Sequence, residues 1–290
     1  MRHVMSVDVE EYFQVWALSG VVAAADWDRW PSRVEASTRR TLELFAGAGV
    51  RATFFVLGWV AERHPALVRA IVDAGHELAS HGHGHAKVAS LAPAAFRTDV
   101  ARAKAALEDA GGVAVTGYRA PSFSIGTDTW WAYDVLAETG HRYSSSQHPI
   151  AHDHYGLPDA PRTPFRPTAG ELVEVPVATV DPGRRVSCAG GGHFRLLPYA
   201  WTRWCLDRLE RREGHAGVFY FHPWEIDPGQ PRVAGLPWRA RLRHYVNLDR
   251  METKLRRLLD DFAWDRLDAV VPLAPAALPQ WSPAAARAAA

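Results

Sequence analysis

The stretch His76-Glu77-Leu78-Ala79-Ser80-His81-Gly82-His83-Gly84-His85 carries the strongest information about the fold of this 290-residue chain. Its first half is short and largely apolar, which predicts a buried β-strand over 76–80. Its second half places three histidines in five positions. Glycines between them allow a loop to turn tightly enough to direct several imidazole rings to one point. The stretch therefore predicts a strand whose carboxyl end delivers a cluster of imidazoles.

Strands and helices alternate on both sides of this stretch. Further strands are predicted over 4–9, 51–57, 113–118 and 141–144, and helices over 32–48, 61–74, 93–110 and 128–139. This alternation is typical of a parallel sheet covered by helices. The sequence thus predicts an α/β fold in which the strand ends share one edge, where such sheets carry their chemistry.

The alternation breaks down after Pro149. Long loops with a short strand over 172–177 are predicted for 149–192, and an Ala-rich, frayed tail for 282–290. Between them the pattern predicts a helix over 198–212, a strand over 217–221 and a helix over 249–262.

The composition favours a globular protein without a nucleic-acid partner. Hydrophobic residues make up 48% of the chain and the formal net charge is +1. Two cysteines, Cys188 and Cys205, do not make a disulfide framework and fit a reducing compartment. The N-terminus reaches charged residues too soon for a signal peptide, and no stretch approaches the ~20 apolar residues of a membrane helix. We therefore expect a cytoplasmic protein with no transmembrane segment.

His81 and His85 are candidate ligands of a divalent metal ion. Two imidazoles and one carboxylate form a common ligand set for Zn²⁺ that leaves positions open for water and substrate. His83 lies between them and could take the place of either. The alternative is a surface loop that carries three histidines by chance.

The segment Asp8-Val9-Glu10-Glu11 ends the first predicted strand and supplies candidate carboxylates. Asp8 and Glu10 share one face of the strand, whereas Glu11 lies on the other. The two carboxylates of such a pair can have different roles, since one can bind the metal while the other takes a proton from water. Acids after a strand are otherwise typical of a helix cap or a solvated turn.

Two further segments end predicted strands with chemically useful side chains. In Gly117-Tyr118-Arg119-Ala120-Pro121-Ser122-Phe123, Arg119 can orient a carboxylate through forked hydrogen bonds. In Phe219-Tyr220-Phe221-His222-Pro223-Trp224-Glu225, His222 can act as the general acid for a leaving amine. Their structural alternatives are a surface arginine before a turn and a histidine that caps a strand.

The remaining candidates are weaker. Twelve tryptophans serve core packing or, at exposed positions, sugar stacking. His152 and His154 could line a pocket or bind a second ion. The run Gly190-Gly191-Gly192-His193 lacks the strand and helix context of a nucleotide-binding loop.

Together these motifs resemble the polysaccharide deacetylase family, also called carbohydrate esterase family four, with its NodB homology domain. In the first motif of that family, Asp8 matches the catalytic base and Glu10 matches the metal-binding acid, with Glu11 as a rival ligand. His81 and His85 match the second motif, His-x-x-x-His. The resemblance implies one bound divalent ion, Zn²⁺ first, with Co²⁺ or Ni²⁺ as alternatives.

The later motifs complete the resemblance with one departure. Arg119 and Pro121 match the third motif, and His222 matches the late histidine motif. The fourth motif usually brings an Asp, and Ser144 stands in its place, which leaves open how Arg119 is engaged. The residues expected to contact the substrate are Tyr118, Pro121, Phe123 and Trp224.

The resemblance covers residues 4–262 and is closest to the subgroup associated with exosortase and exopolysaccharide gene clusters. It implies a distorted (β/α) barrel with an elaborated C-terminal loop region. The catalytic domain would span 1–265, with a subgroup-specific portion over 149–265, and a Pro/Ala-rich extension would follow over 266–290.

The activity implied by this resemblance is removal of N-acetyl groups from a bacterial exopolysaccharide or its precursor. One alternative is a hydrolase of a non-sugar amide, a cyclic imide or an O-acetyl ester on the same scaffold. A second alternative is a carbohydrate-binding protein with little or no catalysis.

Overall fold

Ten strands and eleven α-helices make up the described part of the fold. The structure, a computed structural model, describes residues 1–152 and 155–288. The strands are β1 Arg2–Val9, β2 Thr53–Val56, β3 Glu77–Ser80, β4 Gly117–Tyr118, β5 Tyr143–Ser144, β6 Val173–Glu174, β7 Thr179–Val180, β8 Val186–Ser187, β9 Val218–Phe221 and β10 Ala263–Asp265. The helices are α1 Val34–Ala48, α2 Gly58–Arg63, α3 Pro65–Asp73, α4 Pro93–Gly111, α5 Ala132–Glu138, α6 Gly191–Leu196, α7 Tyr199–Arg208, α8 Trp238–Tyr245, α9 Leu248–Asp261, α10 Leu267–Val270 and α11 Pro283–Ala288.

The main sheet is parallel and curls into a half-barrel. Its order is β10-β1-β2-β3-β4-β5-β6, and β9 pairs with the other side of β1. Ser6 lies opposite Thr53 of β2, and Val7 lies opposite Phe221 of β9. After β6, the N–H of Ala178 donates to the carbonyl of Val218 at 3.0 Å, which draws the two ends of the sheet together. The predicted α/β fold, a distorted (β/α) barrel, is confirmed.

The helix predicted over 61–74 is two helices. α2 ends at Arg63 and α3 begins at Pro65, and His64 between them adopts φ −130° and ψ 55°. A residue before proline is excluded from the helical region by the proline ring, so Pro65 interrupts the helix. The helix predicted over 128–139 is likewise shorter, because α5 begins only at Ala132 after a separate 3₁₀ turn.

The second half of the chain contains more secondary structure than its composition indicates. The loops predicted over 149–192 contain the antiparallel pair β7 and β8 and the start of α6. β10 runs parallel to β1, with Ala263 opposite Arg2. The C-terminal extension lies against the body of the fold, since the N–H of Trp281 donates to the carbonyl of Arg166 at 2.9 Å.

A cluster of buried aromatic rings lies beside the carboxyl end of β1. Phe13 contacts Trp27 and Trp59, whose rings meet edge to face with centroids 5.7 Å apart. Trp27 is therefore a packing residue, whereas Trp238 is 70% exposed. No helix in the described ranges is both long and apolar enough to cross a bilayer.

His76 holds the start of β3 against β2 as a hydrogen-bond acceptor. Its Nδ1 accepts the N–H of Ala52 at 3.1 Å, and its ring lies 4.8 Å from that of Phe54. Burial, with smaller contributions from Arg266 and Arg51, lowers the pKa of His76 from 6.5 to about 4. Protonation would place a donor against the Ala52 N–H, so the folded protein requires the neutral imidazole.

We predict that acid destabilises the fold partly through His76. Between pH 6.5 and about 4 the unfolded chain binds a proton that the folded chain does not, so unfolding becomes more favourable as pH falls, by up to about 3 kcal/mol. His76→Asn retains an acceptor near the Nδ1 position but does not titrate. Denaturant unfolding across this range should give a shallower pH dependence for the variant. The same slope in both proteins would contradict the prediction.

Candidate active site

A cavity of about 370 Å³ opens at the carboxyl ends of the parallel strands. β1, β3, β4 and β9 each end at its wall, so residues far apart in sequence meet there. The chemically active side chains in its wall are Asp8, Glu10, His81, His85, His222 and Glu225.

Glu10, His81 and His85 form a candidate metal site. One ligand atom from each lies within 4.8 Å of the other two. Oε2 of Glu10 is buried and 2.6 Å from Nε2 of His85, yet it forms no hydrogen bond of acceptable geometry. Nδ1 of His81 contacts the carbonyl of Arg119 at 2.9 Å, so it carries the hydrogen and leaves Nε2 free to ligate. An orphaned carboxylate oxygen beside two aimed imidazoles fits a divalent cation.

The loop that carries these histidines is fixed by Asp99 and by its backbone conformation. The Asp99 carboxylate accepts the N–H of His83 at 2.9 Å and that of Gly84 at 3.3 Å. Gly82 adopts φ 75° and His85 adopts φ 52°. Left-handed backbone at a histidine costs about 1 kcal/mol or more, so packing around the loop must hold His85 in place.

The two rival ligands lie elsewhere. Nε2 of His83 is 3.0 Å from Oε1 of Glu62, outside the cluster. Glu11 caps the start of α1, because its carboxylate accepts the Ser32 hydroxyl and the N–H of Arg33 at 3.0 Å. The structure brings Glu10, and neither rival, together with His81 and His85.

Arg119 and Asp8 form a fully buried ion pair inside the barrel. Nη1 of Arg119 is 2.7 Å from Oδ1 of Asp8 and 2.9 Å from the hydroxyl of Ser6. Nε and Nη2 donate to the carbonyl and hydroxyl of Ser145 at 3.0 and 2.9 Å. Ser144, which stands where the family usually has Asp, donates instead to the Ser146 hydroxyl at 2.7 Å. Asp8 and serine oxygens therefore engage Arg119.

His222 is held by two residues that the sequence interpretation did not assign. Its Nδ1 is 3.2 Å from Oε2 of Glu225, and Nε of Arg195 is 2.9 Å from Oε1 of the same carboxylate. Nε2 of His222 is 3.5 Å from Oε1 of Glu10. Although burial favours the neutral ring, the charges of Glu10 and Glu225 raise the pKa of His222 to about 9. The only sequence signal for this pairing was the position of Glu225 three residues after His222.

The glycine run at the start of α6 packs closely on this carboxylate. A Cβ on Gly191 would lie 1.8 Å from Oε2 of Glu225, and Gly190 adopts φ 97°. Gly192, by contrast, has nothing within 4 Å of its Cβ position. The run thus permits close packing on Glu225 rather than phosphate binding.

The expected substrate contacts divide into two pairs. Phe123 and Trp224 line the cavity. Tyr118 and Pro121 do not line it, and a substrate contact at either residue stays a prediction. Successive residues of a strand point to opposite faces, so Arg119 reaches the barrel interior while Tyr118 packs outward against Phe96.

Two other expectations concern histidines of the C-terminal half. His152 lines the cavity, as does His193, for which the sequence indicated no role. His154, the second residue of the predicted histidine pair, lies outside the described residues.

Comparisons with known proteins agree with this geometry. Residues 20–143 match the polysaccharide deacetylase family, and residues 145–272 match a domain of unknown function, DUF3473. Over 186 residues the chain is 28% identical to a chitooligosaccharide deacetylase of Bradyrhizobium sp. (strain ANU 289), covering 64% of this chain and 77% of that one. Over 147 residues it is 32% identical to a chitooligosaccharide deacetylase of Sinorhizobium fredii, covering 50% and 62%.

A solved structure shows the same fold. A Mycobacterium smegmatis protein assigned to the polysaccharide deacetylases superposes with a TM-score of 0.62 at 23% identity, covering 92% of this chain and 87% of that one. Residues 20–143 therefore resemble the polysaccharide deacetylase domain, and the chain shares its fold with a solved protein assigned to that family.

Proposed function

We propose that this protein is a metal-dependent hydrolase that removes N-acetyl groups from amino sugars of a bacterial exopolysaccharide or its precursor. The observation that carries the proposal is the meeting of three groups in one cavity. These are the cluster of Glu10, His81 and His85, the Asp8 carboxylate and the His222 imidazole. The exopolysaccharide assignment is supported by the resemblance of the motif segments to that subgroup.

Glu10, His81 and His85 would hold one divalent ion, Zn²⁺ first, with Co²⁺ and Ni²⁺ also suited to two imidazoles and a carboxylate. When bound, the ion supplies Lewis-acid polarisation of the acetyl carbonyl and of the attacking water.

Asp8 is placed to act as the general base. It lines the cavity, and the ion pair with Arg119 reaches its Oδ1, which fixes the carboxylate in the interior. A fixed carboxylate at the cavity wall can take the proton of the water that attacks the acetyl carbonyl. Arg119 positions this base and does not contact the substrate, because it is fully buried.

His222 is placed to act as the general acid. Glu225 holds Nδ1, so the proton on Nε2 is directed into the cavity on the side of Glu10. The Glu225 carboxylate beside Nδ1 favours the protonated form of the imidazole. As the C–N bond breaks, His222 gives its Nε2 proton to the departing nitrogen, and acetate and a free sugar amine result.

The first of three predictions from the site concerns metal binding and acetate release together. His81→Ala and His85→Ala should weaken Zn²⁺ binding at least 100-fold and abolish acetate release from N-acetylglucosamine oligomers, because each removes one of three ligands. His83→Ala, in the same loop but outside the cluster, should retain both properties. Titration calorimetry and an acetate assay are the measurements, and full activity in a metal-free His81→Ala protein would overturn the proposal.

Assays with several substrates, run side by side, distinguish the proposed N-deacetylase from the alternative hydrolases and from a carbohydrate-binding protein. O-acetylated sugars and cyclic imides should be hydrolysed far more slowly than the N-acetylated oligomer. Faster turnover of either would assign a different amide or ester substrate to the same site. Sugar binding without turnover at saturating Zn²⁺, Co²⁺ or Ni²⁺ would assign a carbohydrate-binding protein.

The second prediction concerns the proposed general acid, His222, and its partner Glu225. Glu225→Gln should lower kcat by about 100-fold while KM changes little, since His222 loses the carboxylate that fixes its tautomer. The free energy of unfolding should also fall, because Arg195 loses the charge of its buried partner. The control is Glu62→Gln, which alters a similar carboxylate–histidine pair with His83, outside the cavity. Equal kcat values in the two variants would refute the role of Glu225.

The third prediction concerns the glycine run. Gly191→Ala should lower the free energy of unfolding by about 1–3 kcal/mol, because the new methyl group overlaps the Glu225 carboxylate. Gly192→Ala adds the same methyl group to open space in a helix and should be neutral or stabilising by up to about 1 kcal/mol. Denaturant unfolding distinguishes the two, and equal stabilities would contradict the packing argument.

A further inference from the structure

The entrance of the cavity is surrounded by exposed apolar side chains. Of the eight large hydrophobic residues exposed within the described ranges, five lie around the entrance or on the adjoining α8. We call this set the apolar rim, and it consists of Trp16, Val21, Leu196, Trp238 and Leu242, which are 40%, 40%, 58%, 70% and 54% exposed. Single exposed hydrophobic residues are ordinary, but a clustered set marks an interaction site.

The members of the rim are connected through α8 and its neighbours. Trp16 and Leu196 line the cavity. α8 packs against the turn that begins at Trp16, and the Val21 side chain lies beside Gly235, just before α8. The rim therefore forms one surface rather than scattered positions.

α8 has the pattern of a helix that lies in a membrane interface. Trp238 and Leu242 are four residues apart and form an exposed apolar stripe. At about 100° per residue, Arg241 falls on one side of this stripe, and Arg239 and Arg243 fall on the other. An apolar stripe between two lines of arginine allows the stripe to enter the acyl boundary while the guanidinium groups reach the headgroups.

The positive charge of residues 228–247 has no neighbouring carboxylate in the described part of the chain. Residues 228–247 contain four arginines and no aspartate or glutamate. None of the four, namely Arg232, Arg239, Arg241 and Arg243, has a carboxylate within 4 Å among residues 1–152 and 155–288. The opposite face of α8 is anchored, because His244 is buried and stacks on Trp224 with ring centroids 4.4 Å apart. The arginines are thus displayed on a fixed helix.

We propose that α8 and the apolar rim bind the surface of a bilayer containing anionic lipids and set the cavity entrance against that surface. Arginines without carboxylate partners are complementary to anionic headgroups. Sugars stack on aromatic faces, whereas the aliphatic rim residues Val21, Leu196 and Leu242 match acyl chains. The docked protein would take a saccharide held at the bilayer, and the docking itself does not depend on the hydrolytic activity.

The test is sedimentation of the full-length protein with sucrose-loaded vesicles. Vesicles of phosphatidylglycerol and phosphatidylcholine should bind it at 50 mM NaCl and release most of it at 500 mM, whereas pure phosphatidylcholine should bind at least tenfold less. Arg239→Gln/Arg241→Gln and Trp238→Ser/Leu242→Ser should each weaken binding at least tenfold. Both double variants avoid residues that line the cavity, so they should hydrolyse a soluble oligosaccharide at the wild-type rate.

Matched variants on α7 and on the π-helical turn Leu209–Glu213 that follows it serve as controls. Arg203→Gln/Arg211→Gln removes two charges, and Trp204→Ser removes an exposed tryptophan, so both should bind vesicles as the wild type does. Failure to bind anionic vesicles at 50 mM NaCl would overturn the proposal. It would also be overturned if the Trp238→Ser/Leu242→Ser variant lost binding of soluble polysaccharide, or lost a concentration-dependent dimer, while vesicle binding stayed intact.

Discussion

The site depends on Arg119, which fixes two functional groups at once. Its guanidinium holds Asp8, and its main-chain carbonyl contacts the ring of His81. A buried cation is costly unless every donor is satisfied, and here Asp8, Ser6 and Ser145 accept its hydrogen bonds while the Phe55 ring lies 4.1 Å beneath it. The candidate base and one candidate ligand are therefore coupled, because a shift of Arg119 would move both.

The two matched regions of the chain share one sheet and one cavity. β1 precedes both, and it pairs with β2 of the deacetylase region and with β9 of the DUF3473 region. Because both regions pair with this strand, both reach the same cavity. The deacetylase region contributes His81 and His85 to its wall, and the DUF3473 region contributes His222 and Glu225. The segment of unknown function thus lies within the candidate catalytic machinery rather than beside it.

The sequence predicted those parts of the site that follow from the strands themselves. Short, largely apolar runs indicated β1 and β9, and parallel strands end at one edge, so Asp8 and His222 could be expected to meet. Strand parity could also have excluded Tyr118, since its neighbour Arg119 points inward. The pairing of Glu225 with His222 could not be predicted from the sequence. It depends on the 3₁₀ turn Pro223–Ile226, and a turn this short has no hydrophobic periodicity.

Ser144 and Glu225 together show which groups engage Arg119 and His222. Where the family usually brings an Asp near strand five, this chain has three serines, and their oxygens bind one another, Arg119 and the Ala120 N–H. The carboxylate that contacts the candidate acid His222 comes from the turn that follows this histidine. His222 and Glu225 are therefore positioned together by β9 and by Arg195, without a contribution from β5. Ser144 is therefore compatible with a fixed His222, because Glu225 contacts its Nδ1.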